Sequence, residues 1–237
     1  MLEYLPVYLP IFFSLTTILM LILFHWTISG SSASIQGKAG LITTLLSLWL
    51  VLQASLAINE LYSADTNSIP PKIMLLGILP MLLVILSLFI SRKGRIFIDS
   101  LPLERITHLN IIRIPVEIVL YLLFLNKVVP EMMTFEGRNF DILAGITAPL
   151  IAIYGIKKGI LGSRIILTWN FICLALLINI IIIALFSSIT PFQKFAFEQP
   201  NIALPNFPFV WLPTFIVPIV LFGHLVSIRQ LLIKIRS

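Results

Sequence analysis

Residues 165–188 read IILTWNFICLALLINIIIIALFSS, 24 positions without one charged side chain. In water such a run would aggregate. As a helix rising about 1.5 Å per residue it matches a hydrocarbon core roughly 30 Å thick. The rest of the chain repeats the pattern, with no charge in residues 4–37, 39–59, 73–91, 165–193 and 199–228. Of 237 residues, 59% are hydrophobic and 11% charged, with a mean hydropathy of +1.06. A soluble domain carries about 25% charged residues, so there are too few here to build a polar surface.

Helices are the expected element, because a helix satisfies its own backbone polar groups within lipid. A barrel would need roughly ten-residue segments alternating polar and apolar, and none is seen. The sequence therefore predicts an all-α polytopic integral membrane protein, one transmembrane domain over 1–237. Seven spans are expected at about 5–29, 38–61, 72–91, 106–126, 139–157, 165–188 and 208–231. The first is read as a retained helix, since its apolar stretch is longer than a signal peptide's and no Lys or Arg precedes it. A five-helix alternative, with 92–164 as a cytoplasmic insert, would leave the apolar run Ile118–Leu125 to pack in water or at the interface.

Basic residues set the orientation. With seven spans, one side receives Lys38, Arg92, Lys93, Arg95, Arg105, Lys157, Lys158, Arg164, Arg229, Lys234 and Arg236, eleven in all. The other receives four: Lys72, Lys127, Arg138 and Lys194. Excess Lys and Arg mark the cytoplasmic side, so a cell inner-membrane location is expected with the N-terminus outside and the C-terminus cytoplasmic. The net charge of +6 and pI near 9.7 come from residues dispersed between apolar segments, and no nucleic-acid partner is expected. The expected partners are the lipid bilayer and a small solute, ion or lipid.

Polar chemistry concentrates in the fourth segment. Asn110, Arg113, Glu117 and Tyr121 are spaced 3, 4 and 4, which places them on one helix face. Charges at membrane depth are costly and should face the bundle interior, paired or hydrated. Arg113 and Glu117 are expected to pair along the helix or with residues on other helices. Candidate partners are Gln53 and Glu60, seven apart on the second segment, Asn170 and Asn179 on the sixth, and Thr147 and Tyr154 on the fifth. A second polar group precedes the fifth segment: Glu131, Glu136, Arg138, Asn139 and Asp141. There either Asn139 or Asp141 suits a helix cap, while Glu136, Arg138 and Asp141 could hold a cation or headgroup.

His25, His108 and His224 are the three histidines. Three His with water is a zinc arrangement, but the spacing carries no metal motif, so interfacial or hydrogen-bonded roles stand beside it. Cys173 is the single cysteine and is expected in the core. Pro80, Pro115, Pro149, Pro213 and Pro218 fall inside expected helices. Each removes a backbone donor, and neighbouring side chains must satisfy the freed carbonyl. The aromatic, proline-rich stretch 189–207 is expected at the outer interface.

Several chemistries lose support. No lysine lies between Phe209 and Ile228 for a retinal Schiff base. Neither a nucleophile elbow nor a phosphate-binding glycine motif occurs. Three functions remain open: binding or translocation of a small solute or ion at the fourth segment, an intramembrane enzyme acting on a lipid or isoprenoid, and a non-catalytic subunit or sensor.

Overall fold

The computed structural model describes residues 5–236, apart from the side chains of Ala33 and Ser34. The chain is all-α. Five helices are long and apolar enough to cross a bilayer: α1 (Tyr8–Ser29), α2 (Ala39–Ile58), α5 (Leu103–Leu125), α7 (Ser163–Ser187) and α8 (Leu212–Arg236). A sixth crossing is counted if α3 (Met74–Ile90) is taken with α4 (Arg92–Ser100), which bends from it by 93°. The apolar helix α6 (Ile142–Lys157) is shorter. Each of the seven expected segments is thus helical, while α6, at 16 residues, extends only about 24 Å.

Helix α4 was not expected. Ser91 caps it by accepting from the Gly94 amide at 3.1 Å. The chain folds so tightly there that a Cβ on Gly94 would overlap the Leu88 carbonyl. Arg229 of α8 grips Asp99 of α4 through Nε and Nη2 at 2.8 and 2.9 Å. Gln230 donates to the Ile98 and Leu101 carbonyls. The same end of the bundle holds the Arg105–Trp26 carbonyl bond at 2.6 Å and the Lys157–Glu104 ion pair at 3.9 Å. Helices α4, α5, α6 and α8 therefore place basic residues at one end, beside the last turn of α1.

At the opposite end, the stretch 189–207 is fastened across α5 and α7. Gln199 donates to the Phe124 and Val129 carbonyls at 3.1 and 2.6 Å. Backbone bonds join Asn201 to Ser187 and Ile202 to Val128.

Prolines shape the interior as the sequence requires. In an α-helix the Leu76 and Thr214 carbonyls would accept from residues 80 and 218, and both are prolines. Each carbonyl lies in a π-helical stretch, Met74–Ile78 and Leu212–Ile216. One face of α2 supplies the missing donors: Gln53 Nε2 reaches Leu76 O at 3.2 Å and Trp49 Nε1 reaches Thr214 O at 3.0 Å. Gly77 lets the two π stretches meet, since a Cβ there would come within 2.5 Å of Thr214 Cγ2.

Candidate functional site

Helix α5 is α-helical over Leu103–His108 and again over Arg113–Leu125. A 3₁₀ turn over Leu109–Ile112 precedes α-helix from Arg113. Pro115 cannot donate to the Ile111 carbonyl, and the tighter turn falls just before it. The polar stripe follows. Asn110, Arg113 and Glu117 are at most 3% exposed, while Tyr121 is half-buried against Phe135 with ring centroids 4.9 Å apart.

Arg113 is the hub. Its Nη1 donates to Asp141 Oδ1 at 2.9 Å and to the Cys173 carbonyl at 3.3 Å, and its Nη2 meets His224 Nε2 at 3.0 Å. A guanidinium only donates, so His224 Nε2 accepts. The imidazole proton therefore sits on Nδ1, which donates to Asn170 Oδ1 at 3.1 Å. Asn170 in turn donates to the Ile166 carbonyl. No ion pair joins Arg113 to Glu117 among the described residues. Of the two expected arrangements, the one seen for Arg113 is pairing with another segment, through Asp141 at the start of α6. Geometry favours this, since Arg ahead of Glu is the poorer order on one helix.

Glu117 is held by Asn139, whose Nδ2 donates to Oε1 at 2.6 Å and to the Met133 carbonyl at 3.0 Å. Asn139 Oδ1 accepts from the Asp141 amide at 3.1 Å. Of the two residues expected as caps, Asp141 does not cap α6 with its side chain, which is committed to Arg113. These bonds fix the depth of the chain. Glu117 and Arg113 flank the midpoint of Leu103–Leu125, so residues 126–141 descend as irregular backbone to the middle of α5 before α6 begins. Non-helical backbone survives at that depth only inside protein or beside a hydrated space. Gly145 allows the approach: a Cβ there would lie 2.8 Å from Ile114 Cγ1 and 3.3 Å from Arg113 Cβ.

Three buried polar atoms here have no hydrogen-bond partner among the described residues: Asn110 Oδ1, Arg113 Nε and Glu117 Oε2. All belong to one stripe of α5.

The other expected site residues lie elsewhere. Gln53 is buried at the α2 face already described and accepts from the Tyr62 hydroxyl at 2.7 Å. Burial pushes the Tyr62 phenol up to about 12, so it remains a donor at ordinary pH. Glu60 does not share that face. It is exposed beyond the end of α2, with φ +58°. Glu136 and Arg138 are exposed and do not join Asp141. Arg138 contributes its carbonyl to Asn179. The histidines are not brought together: His25 bonds Thr43 and His108 the Glu104 carbonyl, while His224 belongs to the cluster. Among the described residues no group of three His, Cys, Asp or Glu side chains could hold a metal. Thr147 accepts from Trp169 Nε1, and Lys158 lies over the Tyr154 ring. Asn139, Asp141 and His224 are named in the sequence reading but not as partners of Arg113 and Glu117. The Asn-x-Asp spacing before an apolar helix was the one local signal for the first.

Residues 70–232 match a family described as a domain of unknown function, DUF8737. The chain belongs to that family. The matched stretch contains every member of the Arg113 cluster, whereas the α2 residues Trp49 and Gln53 precede it. No curated protein and no solved structure matches the chain.

Proposed function

We propose that the chain is a seven-span membrane protein whose Arg113 centre binds or translocates a small solute or ion. In this reading α3 crosses the bilayer before the bend into α4. The stretch 126–141 with α6 forms a discontinuous fifth span. The basic end is cytoplasmic, and the N-terminus lies outside. The carrying observation is the set of buried, unpartnered polar atoms on α5 beside a segment unwound at mid-depth. Discontinuous helices beside ionisable side chains are where membrane transporters build sites.

The direct test is Glu117→Gln in proteoliposomes, with solute and proton flux measured against wild type. Flux falling at least tenfold supports the reading, and unchanged flux removes Glu117 from it. Orientation is tested separately by single cysteines at Ser91 and Lys194. An impermeant maleimide added outside spheroplasts should label position 194 and spare position 91.

A second reading has one observation in its favour. The cluster is closed, with Arg113, Glu117, Asn139, Asp141, Asn170 and His224 at most 4% exposed. A non-catalytic membrane subunit would use such a network to fix helix packing. Wild-type flux in Glu117→Gln, together with a stable partner copurifying from native membranes, would favour it.

A further inference from the structure

A second, separate feature lies at the basic end. Between the end of α6 and the start of α7 the chain reads KKGILGSR over 157–164, and it borders a groove of about 250 Å³. Gly155, Gly159, Gly162, Ser163 and Lys234 line it together with apolar side chains that include Ile166 and Leu231. Gly159 has φ +66°, a left-handed conformation that favours glycine. A Cβ on Gly159 or Gly162 would meet nothing within 4 Å, so the backbone there is uncovered.

Lys157, Lys158 and Arg164, all exposed, adjoin the lining residues Ile156, Gly159 and Ser163 along the chain. The Lys158 ammonium lies over the Tyr154 ring at 4.5 Å. Facing these cations, Glu104 is the nearby acid, 3.9 Å from Lys157. The flank is apolar: Ile160 and Ile165 are 65% and 55% exposed. Cations and bare backbone next to exposed apolar side chains suit an amphiphile with an anionic head. Basic recesses between helices on the positively charged side of a membrane protein bind such headgroups.

We propose that this groove is a binding site for an anionic phospholipid, its phosphate at Lys157, Lys158 and Arg164 and its acyl chains along Ile160 and Ile165. The site is independent of the Arg113 centre. Free phosphate shares the headgroup chemistry but has no use for the apolar flank.

The test uses the full chain in detergent, with phosphatidylglycerol, phosphatidylcholine or inorganic phosphate added and retention read by native mass spectrometry. Phosphatidylglycerol should be retained over phosphatidylcholine. The triple variant Lys157→Gln, Lys158→Gln, Arg164→Gln should weaken phosphatidylglycerol retention about tenfold or more, leaving phosphatidylcholine unchanged. Gly162→Leu fills the groove without altering charge and should weaken retention similarly, while circular dichroism confirms helix content in both variants. Equal retention of the two lipids overturns the proposal. So does wild-type retention by Gly162→Leu, which would reduce the effect to diffuse surface charge. Inorganic phosphate binding as tightly as phosphatidylglycerol would overturn the lipid assignment.

Discussion

Helices α2 and α5 are similar in apolar content, with mean hydropathies of 2.0 and 1.7 over their most apolar 18 residues, yet 17% of the first window and 50% of the second is buried. Hydrophobicity does not explain the difference, since the more apolar helix is the less buried. In lipid the acyl chains are as apolar as leucine and give no hydrophobic drive between helices. Polar side chains decide the placement instead. Helix α5 carries Arg113 and Glu117, which must be surrounded by partners. Helix α2 carries the neutral pair Trp49 and Gln53, which need partners on one side only. The first is enclosed, and the second lies against the bundle with Leu41, Leu45, Leu48 and Val51 exposed.

The largest effect should come from breaking the charged centre. Arg113→Met leaves Asp141 buried without its cation and should cost about 3–5 kcal/mol of unfolding free energy, measured by denaturant titration in bicelles. Adding Asp141→Leu should recover most of that loss, because replacing both charges removes the uncompensated one. A double variant as unstable as the single would mean the pair does more than balance charge.

Next comes the close approach of α6. Gly145→Val drives a branched side chain against Ile114 and the Arg113 stem, and about 1–3 kcal/mol should be lost in the same titration. At Gly40, where a Cβ meets nothing within 4 Å, the same change should have little effect.

On α2 the expected effects are smaller. Gln53→Leu strands the Leu76 carbonyl and the Tyr62 hydroxyl and should cost about 1–2 kcal/mol. Burial of the Tyr62 phenol adds a pH dependence of definite sign at the same place. Tyr62 ionises at 10.0 when unperturbed and near about 12 in the folded chain. Its contribution is therefore whole below pH 10 and lost as pH rises towards 12. Tyr62→Phe should abolish that alkaline dependence. Trp49→Phe, which removes one donor to Thr214, should cost about 0.5–1 kcal/mol. A loss at Trp49 equal to that at Arg113 would erase the contrast between the two helices.

Much of this was legible beforehand. Charge-free runs placed the helices to within a few residues, and the 3, 4, 4 spacing put Asn110, Arg113 and Glu117 on the stripe that became the buried cluster. The bend before α4 was missed because residues 92–100 are amphipathic and too charged to read as a span. The descent of 126–141 was missed because irregular backbone has no periodicity to read, and only its bonds to Glu117 and Arg113 reveal its depth.

The sequence by itself determined which segments are helical and apolar, the uneven sharing of basic residues, and the need for donors opposite Pro80 and Pro218. All of these depend on neighbouring residues or on composition. Tertiary structure alone decided the partners: Asp141, Cys173 and His224 lie 28, 60 and 111 positions from Arg113. Trp49 lies 165 positions from Thr214. Such choices depend on which helices lie side by side, and in a bundle bathed in lipid the run of apolar residues is nearly the same on every face and does not specify it.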